Sequence, residues 1–262
     1  MIQHSNMKIM KDVLRKEVKK ILATLSAQEK EKQSKLITSK LLSLLEYQKS
    51  NRVSIYLHMD DEVRTSDILE DIFRTGKICF IPRYATDSTH MDMLRVNTLQ
   101  ELESLPLTNW NIRQPLDSDE RENALNSGHR HEAPLGNLRS LSWKKKAIPR
   151  AESLTSSLTV VFTRGGANSG SGEGEFPSYS VMTGLPNSRG GLDLIVVPGL
   201  AFSREGARLG RGKGYYDTYL TKCCQLQNTS PVTVGLAFKQ QLLDKIPTQE
   251  FDFKMDYVLS VE

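Results

Sequence analysis

The run Arg208-Leu-Gly-Arg-Gly-Lys-Gly-Tyr-Tyr-Asp217 gathers more potential chemistry than any other stretch of this 262-residue chain. Three glycines alternate with Arg211 and Lys213. Glycine admits positive φ, so the backbone can turn its amides toward a ligand at close range. Such amides, ringed by a guanidinium and an ammonium, match what phosphate oxygens require. Tyr215 and Tyr216 offer flat faces for a ring, and Asp217 offers the hard oxygen that magnesium prefers. Phosphate, ring and metal within one short segment point to a nucleotide and a heterocyclic co-substrate.

The loop is distinct from its better-known relatives. A Walker A loop would place Ser or Thr after the lysine, but Gly214 follows Lys213; the spacing Gly210-Arg-Gly212-Lys-Gly214 is also not the GxGxxG of dinucleotide sites. Taken alone, the loop is equally a basic surface segment or a nucleic-acid contact. Its surroundings argue further. Leu194 to Val197 is a short apolar run closed by Pro198-Gly199, as expected of a strand buried on both faces. Tyr215 to Cys224 has the character of a short helix. The glycine-rich loop therefore joins a buried strand to a helix at the carboxyl edge of a sheet, where open α/β folds bind ligands.

The remaining elements alternate in the same manner. Ile9, Val13, Val18, Ile21, Leu22 and Leu25 repeat at helical spacing from Lys8 to Leu25. Ser26-x-x-Glu29 is a capping box opening a second helix, whose stripe is Leu36, Ile37, Leu41, Leu44 and Leu45. Strands are expected at Val53–Leu57, Ile78–Ile81, Met91–Val96, Val232–Ala237 and Tyr257–Leu259. A helix over Asp67–Arg74 is capped by Ser66 and ended by Gly76. This alternation predicts an α/β fold, a mostly parallel sheet with helices on both faces.

Composition narrows the setting. Apolar residues make up 38% of the chain, and Cys79, Cys223 and Cys224 include no CxxC pair. Zinc and structural disulfides are thereby disfavoured, and a reducing cytoplasm is expected. The polar start argues against a signal peptide, and no apolar run has the length of a membrane span. One segment departs from the pattern. Residues 128–189 hold 10 serines, 8 glycines and 4 prolines, with 8 basic and 4 acidic residues. The rest of the chain balances 27 basic against 27 acidic residues, so the net charge of +4 resides in this segment and gives no ground for nucleic-acid binding by the remainder. Its composition predicts a disordered insertion, with Trp143-Lys-Lys-Lys146 as a possible partner anchor.

Together, LDLIVVPGLAF and RLGRGKGYYD resemble the 5-formyltetrahydrofolate cyclo-ligase family. Lys11-Asp-Val-Leu-Arg15, Ser54-Ile-Tyr-Leu-His-Met-Asp-Asp-Glu62, Cys79-Phe-Ile-Pro-Arg-Tyr84, His90-Met-Asp-Met93, Trp110-Asn-Ile-Arg-Gln-Pro115 and Ala237-Phe-Lys-Gln240 fit the same family in order. The resemblance covers residues 8–127 and 190–260, one domain interrupted by 128–189. It implies an architecture like that of sugar-phosphate isomerases and CoA-transferases. It also implies ATP-dependent conversion of 5-formyltetrahydrofolate to 5,10-methenyltetrahydrofolate by a cytoplasmic monomer, with 5-formyltetrahydrofolate, its polyglutamates and ATP as partners, and neither nucleic acid nor membrane.

The family's site residues carry over by position. The resemblance assigns ATP to Lys11, Asp12, Val13, Leu14 and Arg15 and to Arg208, Leu209, Gly210, Arg211, Gly212, Lys213, Gly214, Tyr215 and Tyr216. It assigns the folate to Leu57, Glu62 and the stretch Arg211 to Tyr215, magnesium to Asp217 and Asp252, and phosphoryl transfer to Arg211 and Lys213. Glu62 suits the N–H-rich edge of a pterin. Three other readings stay open: an isomerase or acyl-CoA transferase on the same architecture, a folate-binding form impaired by the insertion, and an RNA-binding protein.

Overall fold

The computed structural model describes residues 2–85, 88–125, 190–250 and 252–261, all within one compact unit formed by 1–129 and 186–262. The expected insertion, 128–189, and its Trp143–Lys146 anchor lie outside the described residues. Three helices open the chain: α1 (Ile2–Ala23), α2 (Ala27–Leu42) and the short α3 (Leu45–Lys49). Next come β1 (Arg52–Ser54), α4 (Ser66–Arg74), β2 (Ile78–Tyr84), β3 (Met91–Val96) and α5 (Leu99–Ser104). The second half supplies β4 (Leu194–Val197), β5 (Ala201–Phe202), β6 (Arg208–Leu209), α6 (Tyr215–Leu226), β7 (Val232–Ala237) and β8 (Tyr257–Ser260).

Six of these strands form one sheet in the order β3-β2-β1-β4-β7-β8. Every pairing is parallel except that of β3 with β2. The alternating side chains of the central strands divide the core into two faces. Leu194 and Val196 of β4, with Val53, Cys79, Ile81, Val234 and Leu236, pack against Val18 and Leu22 of α1, Ile37 and Leu41 of α2 and Ile68 and Ile72 of α4. Ile195 and Val197, with Phe80, Met93 and Ala237, pack against Tyr216, Tyr219, Leu220 and Cys223 of α6. The sheet is thus mostly parallel with helices on both faces, as the pattern predicts, because a strand apolar at every position needs cover on both sides.

Local differences from the sequence reading have identifiable causes. β1 is shorter than Val53–Leu57, since the chain turns away after Ile55 donates its amide to Phe80 O at 2.9 Å. The cap of α4 is Thr65, one residue before the expected Ser66, and it makes no side-chain cap bond. Its hydroxyl instead donates to the carbonyl of Tyr56 at 2.9 Å, fastening the following loop. Ser26 does accept the Glu29 amide, but the Glu29 carboxylate turns to Gln33 at 2.8 Å. Leu36 and Leu45 of the expected buried stripe are exposed, whereas Ile37 and Leu41 are fully buried. Gly76, at φ 73°, ends α4 as read.

The largest departure concerns the glycine-rich loop. It does not follow β4 directly, for the β5–β6 hairpin intervenes. Phe202 of this hairpin is fully buried and is sandwiched between two glycine backbones. A Cβ added to Gly199 would meet its ring at 2.6 Å, and one added to Gly235 of β7 would meet it at 2.5 Å. Glycine is required there because the hairpin lies directly on the centre of the sheet. Gly235→Ala is therefore expected to cost about 1–3 kcal/mol by overpacking. Denaturant unfolding at constant m would show it, with part of the loss recovered in a Phe202→Leu background.

Candidate active site

The carboxyl ends of parallel strands fall on one side of a sheet. The loop after β1, running from Leu57 to Thr65, and the loop after β6, Gly210–Gly214, meet there. The second loop ends on α6, whose cap is Gly214 at φ 75°. Gly212 stands at φ 102°, so the loop uses the left-handed backbone conformations that motivated its reading as an amide nest. A Cβ on Gly214 would meet nothing within 4 Å, which leaves the loop open on that side. Lys213 is exposed beside it.

Arg211 joins the two loops. Its Nε and Nη2 donate to Glu62 Oε1 at 3.2 and 3.1 Å, and Nη2 also donates to Asp61 Oδ1 at 2.5 Å. Glu62 is only 5% exposed, and its Oε2 accepts the Met59 amide at 2.9 Å. Burial pushes the Glu62 carboxyl above the ordinary range, and Arg211 and the Met59 amide only partly offset this. Burial also opposes the charge on Arg211, but the Asp61 and Glu62 carboxylates more than compensate. Leu57, half-buried, packs against the core just before this loop.

The first helix reaches the same region. Arg15 Nε donates to Gly210 O at 2.9 Å, and the Arg15 guanidinium lies against Gly212. Asp12 accepts from Arg15 Nη1 at 2.5 Å. Lys11, nearly buried, pairs with Asp252 at 2.5 Å. Val13, by contrast, is exposed, and Leu14 packs partly into the core. Lys11 and Arg15 thus approach from the one helix face that their spacing of four requires.

The pair read as metal ligands falls close together. Asp217 accepts the Phe253 amide on Oδ1 at 3.4 Å and Arg208 Nη2 on Oδ2 at 2.8 Å, so it adjoins the residue after Asp252. Asp252 Oδ2 accepts the Gln249 amide at 2.7 Å besides Lys11. Among the described residues no group of three or more acidic, histidine or cysteine side chains stands ready for a metal.

The other members of the motif face inward. Arg208 is 7% exposed and divides its guanidinium between Asp217 and the Pro198 carbonyl. Leu209 and Tyr216 are core side chains, so only their backbones face the loop. Tyr215 instead joins an aromatic wall. Its ring lies 5.0 Å from that of Tyr84, which meets Trp110 edge-on at 6.3 Å, and its hydroxyl donates to Ala85 O at 2.9 Å. Trp110 is 52% exposed. One contributor escaped the sequence reading: Asp61, as a partner of Arg211. Polar side chains within a loop or helix give no sign of such distant partners.

The burial of Glu62 has a measurable consequence. The folded carboxyl holds its proton more tightly than the unfolded one, so its contribution to stability is complete below about pH 4.5 and is lost as pH rises through the raised folded value. Glu62→Gln removes this loss. The melting temperature of the variant relative to the parent is expected to rise with pH across that window, and a pH-independent difference would contradict the assignment.

The 5-formyltetrahydrofolate cyclo-ligase family model matches residues 7–129 and 141–261. The mouse 5-formyltetrahydrofolate cyclo-ligase is 42% identical over 246 residues, covering 94% of this chain and 91% of the mouse protein. The Saccharomyces cerevisiae cyclo-ligase is 24% identical, covering 95% and 94% of the respective chains. The fold resembles that of Aquifex aeolicus 5,10-methenyltetrahydrofolate synthetase, with a TM-score of 0.58 at 22% identity, covering 95% of this chain and 89% of that one. No helix among the described residues is long and apolar enough to cross a membrane. The chain belongs to the 5-formyltetrahydrofolate cyclo-ligase family.

Proposed function

We propose that the protein converts 5-formyltetrahydrofolate and ATP into 5,10-methenyltetrahydrofolate, ADP and phosphate, at the site where Arg211 joins the Gly210–Gly214 loop to Glu62. The observation that carries this reading is that junction. It places the loop suited to phosphate against the carboxylate suited to a pterin edge, inside a chain of this family. An amide oxygen is a poor leaving group, and phosphorylation makes it a good one. The formyl oxygen attacks the γ-phosphorus and ADP leaves. N10 then attacks the formyl carbon, its proton is lost, and phosphate departs with the former formyl oxygen as the ring closes.

The chain's own residues serve this chemistry by binding and by charge, as phosphoryl transfer requires. Lys213 and Arg211 neutralise the charge that grows on the transferring group. The Gly210–Gly214 amides and Lys11 and Arg15 of α1 hold the nucleotide phosphates, with Asp12, Val13 and Leu14 as the intervening stretch of that helix. Arg208, Leu209 and Tyr216 contribute through the backbone and through support of the loop. Glu62 accepts hydrogen bonds from the amino-pyrimidine edge. Leu57 and Tyr215, with Tyr84 beside it, line the ring.

Magnesium fits the remaining pair. The ion is ordinarily held by one or two carboxylates together with substrate phosphates, so a ready-made protein cage is not required. Asp217 and Asp252, brought together around Phe253, supply two such carboxylates. Bound there, magnesium would offset negative charge on the nucleotide. The cytoplasm, a monomeric state and polyglutamate forms of the substrate belong to the same proposal, as does one domain formed by 8–127 and 190–260 around 128–189.

The direct test mixes the chain with 5-formyltetrahydrofolate, magnesium and ATP and follows the near-ultraviolet absorbance of the methenyl product. ATP-dependent formation of product supports the reading; a folded chain that forms none refutes it. Lys213→Ala is expected to lower kcat by about a hundredfold or more while moving KM for the folate little, since its charge acts on the developing phosphoryl charge. Asp217→Asn is expected to raise the magnesium concentration for half-maximal rate roughly tenfold or more. An unchanged magnesium titration would remove Asp217 from the metal site.

A further inference from the structure

Arg211 is held by two neighbouring carboxylates that are not equivalent. Glu62 is buried, whereas the Asp61 side chain is 29% exposed, as is that of Arg211 itself. Glu62 has already committed much of its capacity: Oε1 accepts two N–H bonds from Arg211, and Oε2 accepts the Met59 amide. An ionised carboxylate offers about four acceptor positions. A ligand that presents two N–H donors to Glu62 therefore competes with Arg211 for the same oxygen. Without a second partner, the guanidinium would lose its place as the ligand arrives.

Asp61 is that second partner. It holds Nη2 at 2.5 Å and does not share Glu62's burial. Neither carboxylate bonds to Nη1 of Arg211, so this edge stays directed elsewhere while the other is held. A guanidinium is suited to the arrangement, because its rigid fork lets one edge be anchored while another meets an anion. On the reading of Glu62 as the folate carboxylate, we propose that Asp61 is a positioning residue that keeps Arg211 at the phosphoryl group when the substrate's N–H donors take over Glu62.

Steady-state kinetics of the full chain, with 5-formyltetrahydrofolate and magnesium-ATP as probes, separates this role from a merely structural one. Asp61→Asn keeps the shape but not the charge, and is expected to lower kcat about tenfold while KM for the folate stays within about twofold. Asp61→Glu retains the charge and should recover most of the loss. In an Arg211→Lys background, where the fork is gone, Asp61→Asn is expected to cause little further loss, so the two effects do not multiply. Circular dichroism and thermal melting of each variant verify folding, and Asp61→Glu provides the comparison should the asparagine variant melt early. An active parent with kcat unchanged in Asp61→Asn, or with multiplying losses, would overturn the positioning role alone. A folded parent without turnover would overturn the cyclo-ligase reading and this inference with it.

Discussion

A carboxylate buried to the extent of Glu62 needs a partner, because desolvating a charge costs several kcal/mol if nothing compensates it. Arg211 supplies that partner from 149 residues away in the chain. The requirement runs in both directions, since neither loop has regular structure of its own to fix it. The loop after β1 and the glycine-rich loop therefore hold each other. Deleting Arg211 would strand the Glu62 charge in a dry environment, which is more damaging than losing the pair together, whereas Arg211 keeps Asp61 as a second partner.

Other long-range contacts close the same region from different directions. Lys11 with Asp252, and Arg15 with the Gly210 carbonyl, draw α1 onto the carboxyl edge of the sheet. Arg208 spans Asp217 and Pro198, so the start of α6 is tied to the end of β4 beneath the loop. Phe202, wedged between Gly199 and Gly235, seats the hairpin that carries the loop. Apolar packing seats the hairpin on the sheet, and hydrogen bonds and ion pairs fasten the loop and its flanks to α1, α6 and the loop after β1.

This division suits a reaction in which charge moves. A site that binds two anionic substrates must place cations without letting them collapse onto the nearest carboxylate. Three of the cations are already paired, Arg211 with Asp61 and Glu62, Lys11 with Asp252 and Arg15 with Asp12, while Lys213 stands exposed. On the proposed reading, substrate groups would exchange with these protein groups, so that charge would be replaced and not newly buried. Such preorganisation lowers the reorganisation that accompanies phosphoryl transfer.

Much was legible in the sequence because it depended on local pattern. The apolar run of β4 required cover on both faces, the alternation of elements required a mostly parallel sheet, and the glycines of the loop allowed the positive φ that 212 and 214 adopt. Pairings between distant segments were not legible. Arg211 and Lys213 have the same local character, yet one is locked to Glu62 and Asp61 while the other stands exposed. Arg208 and Tyr216 belong to the same motif as the loop, but their side chains turn inward, since the hairpin is buried on both faces and a helix sends one stripe of its residues to the core. The two residues of β5 and the two of β6 are too short to leave a periodic signal, so the hairpin emerged only in three dimensions. The sequence by itself determined which chemical groups the protein possesses and the order of its elements. Only the tertiary structure decided which charges meet, because a buried ion pair is set by the crossing of loops that no local preference specifies.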